Sequence, residues 1–208
     1  MDSNATQPGA GRRFYFCARQ YLTGCVLVFY TLRQSIIGRW IVLAVYGIAL
    51  STFPSVTAYA QSADNVKQAM TLLKDKTSQL GAPGSKGEDT VAGKSVPGLY
   101  FGSTKMNNNF TVVDEVKKEA GGTATLFVKS GDDFVRVATN VQKDDGSRAI
   151  GTVLDPKGKA IAAIRGGNPY YGDADILGKP YITGYEPIRD SGSKVIGIYY
   201  VGYSKAQQ

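Results

Sequence analysis

From Thr123 to Tyr203 the chain is cut into short β-prone runs by turn sequences, and this punctuation limits the fold more than any other feature. Thr123 to Lys129 is apolar and β-branched, Ser130-Gly131-Asp132 is a hairpin turn, and Asp133 to Val141 is a second run. Asp144-Asp145-Gly146 and Asp155-Pro156-Lys157-Gly158 supply further turn chemistry, because Asp hydrogen-bonds its own backbone and Gly tolerates positive φ. Two more strands are predicted over Gly178 to Ile188 and Lys194 to Tyr203, joined through Arg189-Asp190-Ser191-Gly192. Consecutive hairpins imply an antiparallel sheet. The helical segments must then cover its faces, which makes the fold class α+β.

Within this region, Phe134 to Val141 alternates with the two-residue period of a strand. Strict alternation puts Val135, Val137, Thr139 and Val141 on one face, and Phe134, Arg136, Ala138 and Asn140 on the other. An arginine and an asparagine beside Phe and Ala read either as the polar part of a binding surface or as an edge strand with its arginine in water. Arg148 leaves the Asp-Asp-Gly turn and precedes Ala149-Ile150-Gly151-Thr152, so its backbone is fixed on both sides. A guanidinium placed in this way suits a carboxylate, to which it donates two parallel hydrogen bonds. The competing role for Arg148 is to brace its own turn through Asp144, Asp145 or Asp155.

Upstream, Val66, Ala69, Met70, Leu73, Thr77 and Leu80 recur at three- and four-residue steps, the stripe of an amphipathic helix. Ser62 or Asp64 is placed to cap it, and Gly81, Pro83 and Gly84 to end it. Residues 61–84 are therefore assigned to this helix and 85–98 to a connector, since Ser85 to Pro97 is polar, Gly-containing and poor in apolar residues. Leu99-Tyr100-Phe101 is a short strand. Phe110, Val113, Val116 and Ala120 give a short helix ending at Gly121-Gly122, and Lys159 to Arg165 is read as helix rather than strand.

Residues 1–60 differ in composition. They hold five arginines, no lysine and one acid, Asp2, and an apolar run from Ile41 to Leu50 follows Arg39. With Ala58-Tyr59-Ala60 behind it, this is the pattern of a signal peptide cut between Ala60 and Gln61; the alternative is an uncleaved anchor in the inner membrane. Much of the chain's formal charge of +7 leaves with such a leader, and no Lys/Arg cluster with interleaved aromatics remains, so no nucleic-acid partner is implied. Both cysteines, Cys17 and Cys25, also lie in it, and the chain has no histidine. Ser-His-Asp and Cys-His catalysis and histidine or thiolate metal sites are thereby excluded from the remainder, and no cofactor is expected. Asp144, Asp145, Asp155, Asp173, Asp175, Glu186 and Asp190 would permit a carboxylate pair, but most sit in turn contexts that already explain them.

The order FVRVATNV…DGSRAIGT…LD, then GGNPYYGDADILGKPYITGYEPIRD, then VIGIYYVGY, resembles the Cache superfamily of extracytoplasmic sensor domains, and more narrowly the single Cache units called Cache3/Cache2. The likeness runs from about Tyr100 to Tyr203. It implies a PAS-like central sheet with a long N-terminal helix and short covering helices, and a single sensor domain over 99–208. It also implies that the segment from Gly166 to Tyr181 lies over the sheet as a pocket wall, with Tyr170, Tyr171 and Tyr181 lining the pocket. The bland alternative for the Tyr170–Tyr171 pair is closure of the core. Lys179 would add a second positive charge or stand in solvent, and Thr139 and Asn140 would add neutral hydrogen bonds. The expected function is binding of a small molecule, a short organic acid, by a periplasmic or secreted domain, with Arg148 as main contact and Arg136 second. Because no transmembrane or signalling segment follows Tyr203, the signal is expected to pass to a separate membrane-bound partner. The alternatives are a small extracytoplasmic enzyme, and a structural or interaction module with a vestigial pocket.

Overall fold

The computed structural model describes the backbone from Ser55 to Gln207 and side chains from Ala63 to Ala206. The expected leader up to residue 54, with its arginines, Ile41 to Leu50 and both cysteines, lies outside the described residues. The chain begins with helix α1, Ser55–Ser78, which runs unbroken past the expected cut between Ala60 and Gln61. Ser62 and Asp64 are therefore interior helical residues rather than caps. The apolar stripe behaves as its spacing requires: Val66, Ala69, Met70, Leu73 and Thr77 are all buried. None of the described helices is long and apolar enough to cross a membrane.

The expected connector is the first correction. Pro83–Val91 (β1) and Lys94–Phe101 (β2) form an antiparallel hairpin, which Thr104–Lys105 (β3) extends to a small three-stranded sheet. The hairpin hid from hydrophobic periodicity because most of β1 is solvated and only Val91 is buried, while the backbone pairing needs no apolar side chain. A bulge between Lys86 and Glu88 further breaks its period. Buried Val96, Leu99 and Phe101 fasten β2 to the core.

Helix α2, Thr111–Ala120, ends at Gly121, whose φ of +76° is the left-handed closing residue that a glycine takes most readily. Then come β4 (Thr123–Ser130), β5 (Asp133–Thr139), α3 (Lys159–Arg165), β6 (Tyr170–Ile176), β7 (Lys179–Arg189), β8 (Val195–Ser204) and a short 3₁₀ turn. The main sheet has the order β5-β4-β8-β7-β6, antiparallel throughout, so the fold is α+β with a PAS-like sheet. The segment expected to lie over the sheet is instead its edge strand β6, paired from Tyr170↔Tyr185 to Ile176↔Lys179. Tyr171, Asp173 and Asp175 alternate outward on that edge, and the inward positions include Gly172 and Ala174, so the apolar signal of the strand is weak.

The two faces of the sheet are covered unequally. One face receives the α1 and α2 side chains together with Leu126, Val128, Val137, Ile182, Ile188 and Val201 in a continuous core. The other carries Phe127, Phe134, Tyr185, Ile198 and Tyr200 beneath the seven-residue helix α3. A helix of two turns cannot cover a five-stranded sheet, and a cleft remains beside it.

Candidate binding site between α3, β6 and the sheet

A β-bulge decides which way β5 points its side chains. Leu126 pairs with Ala138 but Phe127 pairs with Arg136, so Val137 is the extra residue. Past it the alternation reverses, and Ala138 joins Val135 and Val137 in the α1–α2 core while Val141 joins Phe134 on the α3 side. Strict alternation, which put Ala138 and Asn140 beside Arg136, is corrected by that one inserted residue.

Arg136 is held on the α3 face by the segment that follows it. Its N–H donates to Thr152 O (2.9 Å), its carbonyl accepts from Gly151 N (2.9 Å), and its Nη1 donates to Thr152 Oγ1 (2.6 Å). Gly151 is required there: its φ is +75°, and a Cβ would fall 2.5 Å from that of Ala92. The Arg136 side chain crosses the face over the Phe127 ring (5.1 Å to the centroid) and comes under the influence of Tyr200 and Tyr185. Arg136 is only 4% exposed, forms no salt bridge among the described residues, and has an unpartnered buried Nε. Burial pulls its pKa below the ordinary arginine value, partly offset by Tyr200 and Tyr185. A buried guanidinium with unused donors and no counter-charge is a costly arrangement unless something completes it.

Arg136 opens into a cleft of about 500 Å³ walled by Val153 to Asp155, Ala160 on α3, Tyr170, Ala174 and Ile176 on β6, and Tyr185 on β7. Tyr185 stacks at a tilt on Tyr200 (4.9 Å between centroids) and Tyr170 (6.2 Å). Burial pushes the pKa of Tyr185 upward, so it stays a neutral hydroxyl. The mouth carries Asp155, Asp173, Asp175, Lys157 and Lys159. The acids are already engaged: Asp155 and Asp175 accept backbone N–H groups of their own turns, and Asp173 pairs with Lys205 at 2.7 Å. No group of His, Cys, Asp and Glu suited to hold a metal occurs among the described residues.

The other sequence-derived candidates sit elsewhere. Arg148 gives its fork to Asp114 (2.8 Å to each oxygen) and a further bond to Thr139 O, and lies over Phe110. Its brace therefore ties α2 to the end of β5, with a partner that none of the nearby turns supplied. Asn140 receives Ala124 N–H and donates to Val113 O, tying α2 to the sheet, and Thr139 shares a hydrogen bond with Thr125. Tyr171 turns to the α1 face, where its hydroxyl meets Glu186, itself paired with Lys74 at 2.7 Å. Lys179, paired with Asp144, and Tyr181 line a separate groove of about 250 Å³ that Asn140 also borders. Of the eight candidates, Arg136 and Tyr170 meet in the main cleft. Tyr185 was missed, although Tyr181, Thr183 and Tyr185 recur at the period that puts them on one face of β7.

The Cache 3/Cache 2 fusion domain family matches residues 54–208, taking in α1 and the β1–β2 hairpin as well as the main sheet. No curated protein matches the chain. Among solved structures, the ligand-binding domain of the Campylobacter jejuni chemoreceptor Tlp3 in complex with L-valine is similar at 12% identity and a TM-score of 0.36, covering 73% of this chain and 61% of that one. The sensory domain of the same receptor gives the same identity and score, with 73% and 62% covered, so the chain spans about three fifths of the length of each. With the family matched across the helix, both sheets and the cleft, the chain belongs to the Cache 3/Cache 2 fusion domain family.

Proposed function

We propose that the α3-face cleft binds a small organic acid through a single carboxylate, and that Arg136 receives it. The observation that carries this reading is the buried, unpaired guanidinium at the edge of a cleft of about 500 Å³. Nη1 donates to Thr152, and the remaining guanidinium donors, with Nε buried and unpartnered, are left for a carboxylate to complete. Tyr170 and Tyr185 supply the ring walls, and Val153, Leu154, Ala160, Ala174 and Ile176 add apolar lining below a charged mouth. A second negative group finds no surplus of positive charge at the mouth, where Asp155, Asp173 and Asp175 face Lys157 and Lys159. The family supports sensing rather than catalysis. The arginine-flanked apolar run before Ala60 supports export to the periplasm or beyond, where the bound state would be read by a membrane-bound partner.

Thermal melts of the protein against a panel of mono-, di- and tricarboxylates test the reading. An acid that binds only the folded state raises the midpoint by mass action, worth about 2.7 kcal/mol at one hundred times its Kd. The expected result is a shift with one or more monocarboxylates that disappears in Arg136→Gln. An unmoved midpoint across the panel would favour a vestigial pocket.

A further inference from the structure

β6 and β7 are joined by the two-residue turn Leu177-Gly178, whose φ values are +54° and +82°. Two positive φ values define the tight turn that fits the twist of a hairpin, and its first position ordinarily takes Asn, Asp or Gly. Leucine is ill suited there, because its Cβ crowds the backbone in the left-handed region. The turn is otherwise well made, with Asp175 Oδ1 accepting Gly178 N–H at 2.7 Å.

The other tight hairpin of the same kind, Ala92-Gly93, has φ values of +49° and +78°. Its non-glycine residue is explained by packing, since Ala92 lies directly against Gly151. Leu177 has no such seat. It is 40% exposed, one of two large apolar side chains left exposed among the described residues, and it lines the cleft together with Ile176 and Ala174. A strained backbone that holds an apolar side chain at the rim of a binding cleft points to a use in binding.

We infer that Leu177 is the specificity-determining residue for the far end of the ligand: it covers an apolar tail and so selects an acid with an alkyl or aryl extension over a compact one. The inference rests on the anion reading of the same cleft. Arg136 belongs to β5 and Leu177 to the β6–β7 turn, so the two come from opposite edges of the sheet. The carboxylate is held at one and the tail runs toward the other, past Tyr185, Tyr170 and Ala174. Leu177 takes no part in holding the charge.

Calorimetric titration of the full chain with acetate, propionate, butyrate and hexanoate tests this. Each methylene removed from water strengthens binding by about 4-fold, so the wild-type affinity should climb along the series. Leu177→Gly accepts positive φ without strain, and Leu177→Asn is the residue common at this position. In both, hexanoate should weaken roughly 10-fold, the climb should flatten, acetate should be unchanged, and the ligand-free Tm should not fall. A chain-length profile identical to wild type in both variants overturns the role of Leu177 while leaving the carboxylate site at Arg136 standing. Failure of the wild-type chain to bind any of the four acids overturns the carboxylate reading, and the inference with it.

Discussion

The two faces of the main sheet each hold a prominent arginine, and the two arginines are treated in opposite ways. On the α1–α2 face Arg148 is half-exposed and fully employed: Asp114, Thr139 O and the Phe110 ring occupy its donors and its plane. On the α3 face Arg136 is buried, and among the described residues its side chain donates to Thr152 alone. A partly solvated guanidinium bound to its own chain is a brace, whereas a buried one with donors to spare is the one proposed to receive a carboxylate. The packing differs in the same sense. A 24-residue helix and a second helix close one face, and a seven-residue helix leaves the other with room for a ligand.

The contrast is sharpened most by Leu73→Ala. Leu73 is fully buried in the closed face, so its truncation should cost about 2–5 kcal/mol in urea unfolding, with the cleft's response to acids retained. A cost under about 1 kcal/mol would show that the closed face is not packed as a core. Next in size is Arg136→Met. Removing a charged, two-pronged contact should weaken carboxylate binding by about 1.5–3 kcal/mol, or more than tenfold. Folding stability should hold or rise, because a desolvated charge is replaced by an apolar chain of similar length. Arg148→Ala should do the reverse. Its ion pair is 34% and 46% exposed at the two side chains, so after allowance for solvent screening the loss of stability should be about 1 kcal/mol, with acid binding unchanged.

The smallest effect concerns Glu186. Burial pushes its carboxyl up, but hydrogen bonds from Lys74 and Tyr171 and the charge of Lys74 outweigh this, so its pKa lies below the ordinary 4.5. A depressed carboxylate adds stability above its unfolded value and loses it as pH falls through the folded one. Glu186→Gln should therefore lower stability by a few tenths of a kcal/mol at pH 7, with the difference from wild type shrinking as pH falls below 4.5. Paired melts from pH 7 to pH 3 measure it, and a gap that widens on acidification would contradict the assignment.

The sheet and its helices were legible because periodicity and turn chemistry agree from Thr123 onward and along α1. The stripe Val66, Met70, Leu73 is buried as spaced, and helix α3 stands where Lys159 to Arg165 indicated. Two strands were illegible. β1 is mostly solvated and carries no burial pattern, while β6 alternates but its inward face is Tyr170, Gly172, Ala174 and Ile176, of which only Ile176 is fully buried, too little apolar signal to mark a strand. The candidate site was half legible. Arg136 and Tyr170 were visible as residue types, but their rank against Arg148 and Tyr171 depended on long-range partners. Asp114 lies 34 residues before Arg148, and Glu186 lies 15 after Tyr171. The insertion of Val137 into β5 is a pairing event that no count along the strand reveals.

Arg136 on the open face is the arginine proposed to receive the ligand. A crystal structure of the chain with the monocarboxylate that gives the largest thermal shift tests it most directly. The carboxylate is expected within about 3 Å of the Arg136 guanidinium, its body against Tyr185 and Tyr170, and the Arg148–Asp114 pair undisturbed. A ligand seated against Arg148 with Asp114 displaced, or in the Lys179–Tyr181 groove with Arg136 untouched, would contradict it.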